Sequence, residues 1–210
     1  MFPPLYAIVD SAPETPDVLP LARALVDAGV ALLQIRAKKT PARSAFETAR
    51  RLKSALREMA VKLIVNDRPD VALLSGASGV HVGQEDLPVE DARRICGRAM
   101  WVGVSTHNLE QLHAAASTSA DYIAVGPVFP TGTKENPDPV VGLEFVRQAR
   151  AITKKPLVAI GGITVESAEQ VYRAGADSVA VIRDLRDAAN PASRAREYLQ
   201  IAAEALASRS

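Results

Sequence analysis

The sequence predicts an α/β protein built as one closed (β/α)8 TIM barrel, a single domain over residues 1–210, and three observations carry the prediction. Eight short runs rich in Val, Ile and Leu alternate with longer segments of helical period, and strict strand–helix alternation implies a parallel sheet. No linker or composition break divides the chain, whose 210 residues sit near the lower end of the roughly 200 to over 400 usual for such barrels. No G-x-G-x-x-G follows the first run, and eight equivalent repeats need no topological switch point, which disfavours a doubly wound open sheet.

The first strand is expected over residues 5–9 and the first helix over 17–28, opened by Asp17 and stopped by Gly29. Strand two, 31–35, leads to a helix over 41–59 whose start is read at Thr40 before Pro41. Strand three, 62–65, is followed by a short helix around 70–74, and strand four, 79–82, by a helix over 89–96. Strand five, 101–104, precedes a helix over 108–116, and strand six, 122–125, one over 142–152. Strand seven, 157–160, leads to a helix over 165–174 that Gly175 ends; strand eight, 178–181, leads to one over 191–207 that Asn190 and Pro191 begin.

Composition bounds the partners. Hydrophobic residues make up 48% of the chain, enough for one substantial core. A net charge of +1, with both signs scattered, offers no basic face or tail for nucleic acid or an acidic membrane, so any anion site must be local. The single cysteine, Cys96, rules out an internal disulfide framework and suits a reducing compartment. The N-terminus lacks a charged n-region and long apolar h-region, and no apolar run approaches a membrane span, so a cytoplasmic address is expected.

In such a barrel chemistry collects just after each strand, and the sequence is distinctive there. Gly126-Pro127-Val128-Phe129-Pro130-Thr131-Gly132-Thr133-Lys134 follows strand six: glycine lets backbone N–H groups approach an anion, two threonines add hydroxyl donors, and Lys134 adds a point charge. This is the make-up of a phosphate-holding loop, against the alternative of an ordinary surface turn. Strand two ends in Gln34-Ile35-Arg36-Ala37-Lys38, whose alternation turns an amide and two cations to one side, as a diphosphate requires or as a solvated basic turn would show.

Asn66-Asp67-Arg68 and His81-Val82-Gly83-Gln84-Glu85-Asp86 bring acids to the same rim. Asp67 and Asp86 are expected to pair on magnesium, a hard cation bound by one or two carboxylates with water and substrate phosphates. The alternatives are that Asp67 pairs with Arg68 and that Asp86 caps the helix beginning near Val89. Ser105 can donate to a phosphate and Asn108 can cap a helix. A Ser105/His107 nucleophile lacks an evident orienting acid, and His81 and His113 are read as structural. Gly161, Gly162 and the residues after strand eight, Ile182 and Arg183, form the loop seven and eight phosphate grip common in these barrels.

Taken in order, these segments and Gly103-Val104-Ser105 closely resemble the thiamine phosphate synthase family over nearly the whole chain. That resemblance implies a barrel transferase that joins a hydroxymethylpyrimidine diphosphate to a thiazole phosphate, with magnesium, releasing pyrophosphate and thiamine phosphate. It implies that Gln34, Ile35, Arg36, Ala37, Lys38, Asn66, Ser105 and Lys134 hold the pyrimidine diphosphate and Asp67 and Asp86 the metal. Thr131, Gly132, Thr133, Gly162, Ile182 and Arg183 would hold the thiazole phosphate, while Arg36, Lys38, Ser105 and Lys134 act on the reacting groups. Two departures stand out: Arg183 where the family often has serine, and Ile35 where leucine is usual. A thiazole tautomerase of the same barrel type is disfavoured by Asp67 and by Pro127, where such sequences carry histidine; a non-catalytic sensor would not need Arg36, Asp67 and Asp86 together.

Overall fold

A computed structural model describes residues 1–11, 17–38, 40–132 and 138–209. Among them, eight parallel strands close in sequence order, β8 returning to pair with β1. The strands are β1 (Leu5–Asp10), β2 (Leu32–Arg36), β3 (Lys62–Asn66), β4 (Gly79–Val82), β5 (Trp101–Thr106), β6 (Tyr122–Val125), β7 (Leu157–Ile160) and β8 (Ser178–Val181). The helices are α1 (Val18–Asp27), α2 (Ala42–Ala55), α3 (Pro69–Ser75), α4 (Val89–Cys96), α5 (Leu109–Ala116), α6 (Gly142–Ile152), α7 (Val165–Arg173), α8 (Arg183–Arg186) and α9 (Pro191–Ala207).

Period-two alternation divides every strand between two cores. Tyr6, Ile8, Leu32, Ile64, Tyr122, Ala124, Val158 and Ala180 fill the barrel. Their neighbours Leu5, Ala7, Leu33, Ile35, Leu63, Val65, Val179 and Val181 face the helices. Each helix answers with one apolar face: α1 buries Val18, Ala22, Leu25 and Val26, the i, i+4, i+7, i+8 set that a 3.6-residue period places together. Gly103 is a packing requirement of the interior. A Cβ there would lie 2.0 Å from the Tyr122 ring, so only glycine lets that ring cross the barrel.

Asp17 and Asn190 cap α1 and α9 as expected, each accepting from a first-turn N–H. The reading of Thr40 as the start of α2 is corrected: Pro41 is the N-cap, and the Thr40 hydroxyl instead donates to the Ser11 carbonyl at 2.8 Å, tying the β1 and β2 loops together. Ion pairs brace the opposite end of the barrel. Asp121 and Asp177, at the starts of β6 and β8, accept from the Val102 and Leu157 N–H groups and pair with Arg93 and Arg150. With that face committed to stability, the C-terminal ends of the strands remain for chemistry.

Candidate active site

At those ends lies a cavity of about 780 Å³, lined by residues from all eight strand–loop units. Inward parity carries Gln34, Arg36 and Lys38 into it, whereas Ile35 is buried among the helix-facing residues and Ala37 does not line it. Arg36 is oriented by Asp10, Nη1 to Oδ1 2.7 Å, and Lys38 Nζ stands 3.5 Å from Asp67 Oδ2. The sequence conceals Asp10 because the apolar run of β1 ends at Val9 and the strand does not. Its parity with the inward Tyr6 and Ile8 was the available signal.

Asp67 leaves β3 with φ of 65°, its N–H donating to the His81 carbonyl at 2.8 Å, a bend that aims the carboxylate across the rim toward Asp86. Burial first, and then the Asp86 carboxylate, push the Asp67 pKa up to about 6 against the pull of Lys38. Asp86 is held by the Gly83 N–H at 2.7 Å. Both alternatives for these acids fall: Arg68 pairs with Asp70 at 2.6 Å, and Pro88 is the N-cap of α4, with no side-chain cap. Two adjacent carboxylates, one of them ionised near pH 7 only at a cost that a bound cation would relieve, fit a hard dication in an open site. Among the described residues no group of three His, Cys, Asp or Glu could enclose a metal by itself.

Below the rim, Ser105 Oγ lies 2.9 Å from His81 Nε2, and His81 Nδ1 lies 3.0 Å from the Tyr122 hydroxyl. Burial pushes the His81 pKa down to about 4, so the ring is neutral near pH 7. His81 lines the cavity floor beside Ser105 as a neutral ring. Its inward parity in β4 was the missed signal. His107 does not pair with Ser105: its Nδ1–H donates to the Gly126 carbonyl at 2.6 Å, and its Nε2 lies 3.5 Å from Asp138.

The opposite wall is backbone and small residues. Gly161 and Gly162 adopt φ of 102° and 63°, and a Cβ on Gly162 would lie 2.5 Å from the Pro130 carbonyl, so the β7 loop seats directly on the β6 loop. Asn66, Thr131, Ile182 and Arg183 complete the lining, and Gly132 is exposed beside it. The Arg183 guanidinium rests against that loop, its Nη1 3.6 Å from a Cβ built on Gly132. The neighbouring Asp184 does not hold Arg183: it accepts from Tyr198 at 2.8 Å and faces Arg194. Thr133 and Lys134 lie outside the described residues.

A family model described as thiamine monophosphate synthase matches residues 5–185. The thiamine-phosphate synthase of Koribacter versatilis is 52% identical over 204 residues, covering 95% of each chain. That of Syntrophomonas wolfei is 40% identical over 198 residues, covering 94% of this chain and 95% of its own. A thiamine phosphate pyrophosphorylase structure from Pyrococcus furiosus superposes with a TM-score of 0.87 at 35% identity, over 97% of this chain and 96% of that one.

Proposed function

The chain belongs to the thiamine monophosphate synthase family, and we infer from that membership and from its site that it is a thiamine-phosphate synthase. It couples a hydroxymethylpyrimidine diphosphate to a thiazole phosphate. The C–O bond to the diphosphate breaks with its electron pair on oxygen, and the thiazole nitrogen supplies the pair for the new C–N bond, so no protein nucleophile is needed. The observation that carries the reading is the rim on which Arg36 and Lys38 stand beside the Asp67–Asp86 pair, over a neutral floor.

Arg36, preoriented by Asp10, and Lys38 hold the diphosphate and stabilise the charge that grows on it as the bond breaks. Ser105 donates from the floor and Asn66 from the rim, with Lys134 assigned to the same group by its loop. Asp67 and Asp86 would hold magnesium, which when bound supplies charge neutralisation to the leaving pyrophosphate. Gly162, Ile182 and Arg183, with Thr131 and the adjoining Gly132 and Thr133, hold the thiazole phosphate on the opposite wall, so the two anions are kept apart and the reacting atoms meet between them. The substrates are small molecules, and one buried free cysteine suits the reducing cytoplasm.

Mass spectrometry of the products tests this reading. Thiamine phosphate should form only when both substrates are present; an isomerised thiazole phosphate with no coupled product would indicate a tautomerase instead.

A further inference from the structure

Along the floor of the cavity, five side chains from five strands form one unbroken hydrogen-bonded chain; all but Tyr122 line the cavity. Gln34 Nε2 lies 2.7 Å from the Tyr6 hydroxyl, which lies 2.9 Å from that of Tyr122; His81 and Ser105 follow at 3.0 and 2.9 Å. A neutral imidazole has one N–H, so His81 must donate to one of its two neighbours and accept from the other. At His81 the chain consequently has two directions. In one, Gln34 donates to Tyr6, Tyr6 to Tyr122, Tyr122 to His81 Nδ1, and His81 Nε2–H to Ser105, leaving the serine hydrogen for the cavity. In the other His81 Nδ1–H donates to Tyr122, and Ser105 spends its hydrogen on His81 and shows the cavity only lone pairs.

The ligand selects the first direction: a cavity carrying Arg36 and Lys38 is built for an anion, which needs donors beneath it. In that direction the Gln34 donation to Tyr6 continues the run, because Tyr6 keeps its own hydrogen for Tyr122. The geometry points to Tyr6, Tyr122 and His81 as positioning residues that fix His81 as its Nε2–H tautomer and make Ser105 a committed donor to the bound diphosphate substrate. Each bond polarises the next, so the chain acts as a unit. Gly103, which admits the Tyr122 ring, belongs to the same device.

The role in turnover rests on the synthase reading; the tautomer does not. Nitrogen-15 NMR of the His81 imidazole in substrate-free protein, assigned against His81→Gln, should show a bare Nδ1 and a protonated Nε2. A proton on Nδ1, alone or on both nitrogens, overturns the proposal. In turnover assays Tyr122→Phe should lower kcat roughly 10- to 100-fold, the order of one lost buried hydrogen bond and its unpaired partner, with KM for the diphosphate within about threefold. Ser105→Ala should then cost far less in the Tyr122→Phe background than alone, whereas additive losses would contradict the coupling. If Tyr122→Phe fails to fold, Tyr6→Phe carries the same cycle. A wild-type protein that yields no thiamine phosphate would refute the synthase reading while the NMR result still decides the tautomer.

Discussion

Replacing Asp67 by Asn should make the metal-free protein more stable and the enzyme nearly inactive. Burial and Asp86 lift the Asp67 pKa from 3.8 to about 6. At about 1.4 kcal/mol per pH unit this sets a ceiling near 3 kcal/mol on the cost of keeping the group ionised above pH ~6. The Asp67 side chain is 22% exposed and its partner Lys38 48%, so solvent screening reduces this to about 1–2 kcal/mol. Asparagine removes the charge, keeps the shape, and tolerates the left-handed φ of 65° better than any residue except glycine.

In chelator at pH 7.5 the variant should melt about 2–8 °C above wild type. Between pH ~6 and ~4 the native wild type takes up a proton that its unfolded chain does not, so its penalty fades as pH falls and the two melting curves converge. Turnover with magnesium should drop roughly 100-fold or more, since several kcal/mol of charge stabilisation depend on the pair. Thermal melts in chelator across pH, with and without added magnesium, read both halves. A variant less stable than wild type in chelator, or one that turns over normally, would refute the reasoning.

The buried neutral His81 carries the opposite pH dependence: below pH ~6.5 the unfolded chain binds a proton that the native ring refuses until about pH 4, so stability is lost across that window, by up to about 3 kcal/mol. Denaturant titrations in the Asp67→Asn background should show this slope, and His81→Gln should flatten it. Arg183→Ala should raise KM for the thiazole phosphate about 10-fold or more, the value of a charge-assisted bond, and leave KM for the diphosphate unchanged in steady-state assays with each substrate varied. Gly162→Ala combines a φ of 63° with a Cβ 2.5 Å from the Pro130 carbonyl. It should destabilise by about 1–3 kcal/mol in a denaturant melt and weaken monophosphate binding measured by calorimetry.

Much of the barrel was legible because its signals are local. β4, β6, β7 and β8 begin and end where the apolar runs do, as do α4, α6 and α9 at their helical periods. β1, β2, β3 and β5 run one or two residues further, through Asp10, Arg36, Asn66 and Thr106, because a neighbouring strand offers pairing that polarity at the strand ends conceals. The four residues of α8 are too few to show a period. In the site, cations and acids were visible from their position after strands, whereas Asp10 and His81 were not. Their partners are remote in sequence, 26 residues away for Arg36 and 24 for Ser105, and only closure of the barrel joins them. The Gln34–Tyr6–Tyr122 link spans 28 and then 116 residues, beyond any motif.

Pyrophosphate release by the purified protein, measured beside thiamine phosphate formation with magnesium and then with excess chelator, is the most direct test of the synthase assignment. One pyrophosphate per thiamine phosphate, dependent on both substrates and lost in chelator, is the predicted result. Folded wild-type protein that releases no pyrophosphate, or releases it equally without the thiazole phosphate or the metal, would contradict it.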